Sequence, residues 1–197
     1  MQTKTNFLTF SCRLSNADVA LLASRNKLSP LQENMVRTMM ADFVQKVKIH
    51  VYYKQHKESQ VQAVMTLGTV CDNWCESYLK EGELWKGYMA DQIAMCGLMS
   101  GYEIFRNVLE KQYGTCVSQP HFWDEEKEET SIVNALTLLK QDEVTIRDSG
   151  QMNPLKSVLF TIDILEGENG DMSHGQMKKG MCHACENISC PNRVTDS

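Results

Sequence analysis

No run of about 18 apolar residues interrupts this chain, so nothing in it predicts a membrane-spanning helix. The opening stretch MQTKTNFLTFSCRLSN has too few apolar residues, Phe7, Leu8 and Phe10, for the core of an export signal. Basic residues are too scarce and too scattered for a phosphate-binding surface. The formal net charge is −5, and Lys46, Lys48, Lys54 and Lys57 fall on a helix end and a strand without forming a stripe, which disfavours nucleic acid as a partner. Internal repeats, low-complexity tracts, a glycine-rich phosphate loop, a Ser/His/Asp constellation and a paired-carboxylate signature are all missing. His50, His56 and His174 read as ordinary surface or strand histidines, and no catalytic residue is assigned.

What remains is an ordinary globular composition, with 42% hydrophobic and 23% charged residues over 197 positions, enough for one domain with a real core. Asn16–Asn26 reads as a helix. Ser29-Pro30 marks the start of a second helix, with Ser29 as N-cap, and apolar steps at Met35, Val36, Met39, Met40, Phe43, Val44 and Val47 carry it on. His50–Tyr53 is a possible strand, followed by a polar turn over Gln55–Ser59. Gln60–Leu67 alternates as a strand and ends at Gly68. Helices follow over Asp72–Lys80 and Leu84–Gln112, separated by Glu81-Gly82-Glu83. Gly97, Ser100 and Gly101 are small enough to admit a neighbouring element. After a loop over Tyr113–Phe122, Asp124 and the acidic run behind it suit the positive end of a helix that buries Ile132, Val133, Leu136 and Leu139. Val144–Arg147 is a short strand and Ser157–Leu165 the clearest one. Strands scattered among helices, out of strict alternation, predict an α+β fold with a mostly antiparallel sheet. The expected division is an α+β domain with a helical N-terminal part over residues 1–165, then a flexible connector and a cysteine-rich tail over residues 166–197.

Three of the eight cysteines crowd into that tail, as Cys182-x2-Cys185-x4-Cys190 with His183 between the first two. Thiolates are soft ligands suited to zinc, copper(I) or an iron–sulfur cluster. A tetrahedral zinc site needs a fourth ligand, for which His183, His174 or a distant cysteine are candidates. A disulfide or an unliganded tail is the alternative. The other five cysteines fall mostly in apolar periodic segments and are expected to pack as small hydrophobes. Cys71 and Cys75 are spaced for one helix face. With no export signal and this thiol usage, the expected compartment is the reducing cytoplasm.

Three segments taken together resemble one family. VMTLGTVCDNWCESYLKEGELWKGYMADQIAMCG (residues 64–97) resembles a strand–helix–helix segment of the activation domain of cobalamin-dependent methionine synthase, and more closely that of free-standing proteins similar to it. QMNPLKSVLFTI (residues 151–162) resembles their Met-x-Pro-x-Lys-Ser-Val strand. CHACENISCPNR (residues 182–193) resembles the cysteine-rich ending of the free-standing relatives. The resemblance implies a curved antiparallel sheet flanked by helices. It implies an accessory role in methyltransferase chemistry, in which the domain binds S-adenosylmethionine over the cobalamin cofactor of a partner and couples one-electron reduction to methyl transfer. A free-standing form would serve a corrinoid (cobalamin) protein or a shorter synthase. Cobalamin would be met only through that partner, and the tail would hold an iron–sulfur cluster or zinc. The implied ligand-binding residues are Asp148, Ser149, His121 and Trp123, with Arg147 a stand-in for the family's arginine. That arginine and a following Pro-Gly-Tyr do not occur in GTCVSQPHFWDEEKEE (residues 114–129). A non-catalytic module with an altered ligand site is the second reading.

Overall fold

The computed structural model describes residues 4–123 and 130–165. Their order is β1 (Asn6–Ser11), α1 (Asn16–Asn26), α2 (Pro30–Lys46), β2 (Lys48–Lys57), β3 (Gln60–Thr66), α3 (Gly68–Lys80), α4 (Leu84–Tyr113), β4 (His121–Phe122), α5 (Ile132–Leu138), β5 (Thr145–Ile146), β6 (Met152–Asn153) and β7 (Ser157–Asp163). The architecture is α+β. An open antiparallel sheet of five strands runs β1-β2-β3-β7-β4, and β5 and β6 form a separate two-stranded ladder. The two strands with the strongest sequence pattern are direct neighbours, paired from Gln60 opposite Asp163 to Thr66 opposite Ser157. No described helix is long and apolar enough to cross a membrane.

The sheet separates two apolar clusters. On one face Ile49, Val51, Ala63, Met65, Phe160 and Ile162 pack against α1–α4. On the other, Val64 and Leu159 meet Ala135, Leu136 and Leu139 of the α5 region and Val144. This is why β3 and β7 are buried on both faces, with Leu159, Phe160, Thr161 and Ile162 all enclosed. Helix α4 approaches closely through its small residues. A Cβ on Gly97 would stand 2.6 Å from Phe43 Cε1, and one on Gly101 would stand 2.7 Å from Met65 Sδ.

Several boundaries differ from the sequence expectations, each for a physical reason. Strand β1 carries no apolar alternation strong enough to be seen, because it is a sheet edge and Phe7 stays 52% exposed. Strand β2 continues through polar Gln55, His56 and Lys57, with a register shift between Gln55 and Lys57, because this end lies towards solvent. Gly68 opens α3 as well as closing β3. Its φ of +68° turns the chain directly from strand into helix. Helix α5 begins at Ile132 with Ser131 as N-cap, its hydroxyl accepting from the Asn134 N–H, and Asp124 lies outside the described residues. The apolar set at positions 132, 135, 136 and 139 faces the sheet, so Val133 points away and is 53% exposed. Strand β5 pairs with β6 and not with the main sheet.

Candidate functional site

The segment between β5 and β7 folds back on itself. In the β5–β6 turn the Arg147 N–H donates to the Gln151 carbonyl (2.8 Å) and the Gly150 N–H donates to the Arg147 carbonyl (2.8 Å). The Asn153–Pro154 bond is cis. Residues 154–157 are then fastened to the rest of the fold. The Leu155 N–H donates to Asp72 Oδ2 (2.9 Å), the Leu67 N–H donates to the Lys156 carbonyl (3.0 Å), and Lys156 Nζ meets Asp91 Oδ1 at 2.6 Å. The Ser157 hydroxyl donates to the Pro154 carbonyl (2.7 Å) and lies 2.7 Å from Thr66 Oγ1, which accepts from the Gly68 N–H (3.0 Å).

This folding leaves an open cleft of about 420 Å³ between the β5–β6 ladder and the second face of the sheet. Trp123, Met152, Leu155, Val158 and Leu159 supply apolar walls, and Gly150, Gln151 and Ser157 supply polar atoms. Trp123 is held there by its N–H, which donates to the Leu159 carbonyl at 3.1 Å. Its indole Nε1 is enclosed and has no partner among the described residues. No charged side chain stands in the described lining.

Of the ligand-binding residues expected from the sequence, Trp123 lines the cleft. Arg147, Asp148 and Ser149 sit in the β5–β6 turn, immediately before the lining residues Gly150 and Gln151, and all three are exposed. The Arg147 Nε donates to Asn153 Oδ1 at 3.2 Å. His121 is next to the β7 edge, with Nε2 3.2 Å from Asp163 Oδ2, both largely in solvent. The expected metal ligands Cys182, Cys185, Cys190 and His183, and His174 with them, lie outside the described residues. Among the described residues no group of three or more His, Cys, Asp or Glu side chains is arranged to hold a metal, and Cys12, Cys71, Cys75, Cys96 and Cys116 form no disulfide.

A polar cluster with no signature in the sequence lies on the same face of the sheet. His50 Nδ1 contacts both carboxylate oxygens of Glu143, at 2.8 and 2.9 Å, and the Tyr52 hydroxyl donates to Glu143 Oε2 at 3.0 Å. Burial, and then the adjoining Glu143 carboxylate, push the Tyr52 phenol up to about 12. Through the strand register His50, Thr66 and Ser157 form one cross-strand row leading towards the cleft. On the adjacent strand β3, the Gln62 amide is completely buried, with neither its nitrogen nor its oxygen partnered among the described residues. His50 and Glu143 are 93 positions apart, a distance at which spacing carries no signal.

No family model matches the chain, and no curated protein matches it.

Proposed function

We propose that this protein is an accessory or reactivation protein for corrinoid-dependent methyl transfer, resembling the S-adenosylmethionine-binding activation domain of methionine synthase. The observation that carries the reading is the cleft. Its volume of about 420 Å³ suits a small organic ligand, and the Met-x-Pro-x-Lys-Ser-Val segment that prompted the resemblance forms one of its walls. The Trp123 ring and the Met152 side chain supply apolar surface against which a ring system can pack. Arg147 and Asp148, exposed on the adjoining turn, are the charged candidates for the zwitterionic end of S-adenosylmethionine. When bound, that ligand would supply the methyl group. The protein's own residues would orient it and exclude water on the apolar side. The tail thiolates of Cys182, Cys185 and Cys190 would hold zinc or an iron–sulfur cluster.

One observation favours the second reading, a non-catalytic corrinoid-protein or metal-binding module. A bound carboxylate and amino group require fixed opposite charges, and the described lining has none. Calorimetry separates the two. Binding of S-adenosylmethionine near the micromolar range, roughly −8 kcal/mol, supports the reactivation role, and no heat supports the module. The reactivation reading requires association with a corrinoid protein. Mixing with a partner loaded with cob(II)alamin should give a complex on gel filtration and a change in the corrinoid absorption spectrum. If neither occurs, the reactivation reading fails and only the metal-binding module remains.

A further inference from the structure

Helix α4 runs alongside a free edge of the sheet. Strand β1 is an outermost strand and pairs with β2 alone. The Arg13 N–H, just past β1, donates to Ser100 Oγ of α4 at 3.2 Å. A Cβ on Gly97 would stand 3.5 Å from Cys12 Sγ. One on Gly101 would stand 3.1 Å from Ile49 Cγ2, and Ile49 is the register partner of Phe10. Beyond these contacts a groove of about 250 Å³ opens along α4. Ile104, Asn107, Val108 and Lys111 line it from one face of the helix, and Arg13 lines it from the end of β1.

Strand β1 has none of the features that normally blunt a sheet edge. Asn6–Ser11 contains no charged residue and no proline, and its register with β2 is unbroken. Every second residue turns its N–H and C=O away from β2, and no described strand receives them. The groove beside this edge is cationic. Both charged residues of its described lining, Arg13 and Lys111, are cations, and neither is in an ion pair with a described residue. Glu110, round the helix from Lys111, is taken up by Arg106 at 2.9 Å. Half-buried Ile104 and Val108 give the groove an apolar floor between the two cations. Ser100, which holds Arg13, and Lys111 are about 16 Å apart along the helix at about 1.5 Å per residue. That is the span of about five residues of extended chain.

We propose that the edge of β1 and this groove form one peptide-binding site, which takes an extended acidic segment of a partner protein as an added strand. Main-chain hydrogen bonds to β1 supply the pairing, and alternate side chains of the added strand point over α4. The sequence that fits carries a carboxylate at each end and an apolar residue between them, Glu-x-Val-x-Glu. Its carboxylates meet Arg13 and Lys111, and its valine meets Ile104 and Val108. Charge decides the occupant. A second copy of this chain would bring an uncharged β1 and another Arg13, leaving the cations uncompensated. A nucleic acid strand would need more than two cations. The site is on the α4 side of the sheet, across from the cleft, and does not depend on what the cleft binds.

The test is fluorescence anisotropy of the full-length chain with a fluorescein-labelled peptide carrying Glu-Thr-Val-Thr-Glu, at low and at physiological salt. That peptide should bind, and Glu-Glu-Val-Thr-Thr, of the same composition, should bind at least about fivefold more weakly. Arg13→Gln combined with Lys111→Gln should weaken the first peptide about tenfold and remove most of its salt dependence. Both side chains are exposed, so the fold does not rest on them. Methylating alternate backbone nitrogens of the peptide separates strand addition from charge attraction alone. Methylation in one phase should abolish binding, and in the other phase it should leave binding intact, because only alternate N–H groups face β1. No binding of Glu-Thr-Val-Thr-Glu overturns the proposal, and a dimer in sedimentation would then name a second copy as the occupant. Equal binding of the rearranged peptide, of both methylated forms, or by the double variant also overturns it.

Discussion

The Glu143 carboxylate accepts from the Tyr52 hydroxyl, so ionising that phenol would set two negative charges side by side. Burial acts first and the carboxylate second, and together they raise the phenol from 10.0 to about 12. Cys12, enclosed between β1 and α4, is raised by burial from 9.0 to about 11. A group whose folded value lies above its unfolded one contributes stability that is complete below the unfolded value and is lost as pH rises through the folded one. The urea midpoint should therefore fall progressively from pH 9.0 to about 12, with Cys12 acting first and Tyr52 after it. Glu143→Gln should bring the Tyr52 phenol down in an ultraviolet tyrosinate titration, yet leave it above 10.0 because burial remains. An unchanged titration would mean that Glu143 has no part in the shift.

Helices α1 and α2 each start in a capping box. The Ser15 N–H donates to Asp18 Oδ2 (2.7 Å), and the Ser29 N–H donates to Gln32 Oε1 (2.9 Å), with the Gln32 N–H returning to Ser29 Oγ (3.4 Å). Ser29→Ala should cost about 1 kcal/mol in chemical denaturation. Combining it with Gln32→Ala should cost less than the two separately, because both belong to one contact. The close approach of α4 gives a second contrast. A Cβ at Gly97 meets the rigid ring of Phe43. A Cβ at Gly101 meets first the flexible thioether of Met65. Gly97→Ala should therefore destabilise by about 1–3 kcal/mol. Gly101→Ala should cost clearly less, because Met65 can move and the gain in helix propensity of about 1 kcal/mol offsets the remainder. Equal denaturation midpoints for the two variants would contradict this account of the packing.

At the scale of the whole molecule, the sheet is held between two apolar clusters of described residues. A chain ending at Leu165 should accordingly unfold in one cooperative transition, within about 0.5 kcal/mol of the full-length protein by circular dichroism. The metal proposal rests on the tail thiols Cys182, Cys185 and Cys190. Anoxically purified protein should contain zinc, or iron with sulfide, at about one centre per chain, and Cys185→Ser should lose it while keeping its unfolding midpoint. Metal-free protein with all tail thiols reduced would end the metal proposal without touching the fold.

Helical spans were legible in the sequence because their causes are local. Ser29-Pro30 fixes a start, Glu81-Gly82-Glu83 fixes a stop, and the apolar steps of α2 and α4 repeat within a few residues. The alternation in β3 and β7 also announced two strands. The tertiary structure alone decided the rest. An edge strand such as β1 needs little apolar alternation to pair, so its pattern is weak. The bond between His50 and Glu143, the meeting of Trp123 with residues 150–159, and the separation of Asp148 from the cleft lining all join or divide positions by the route of the chain through space. Periodicity reports only which side of an element is apolar. Which elements then come together depends on the burial of all of them at once, and no local stretch of sequence contains that information.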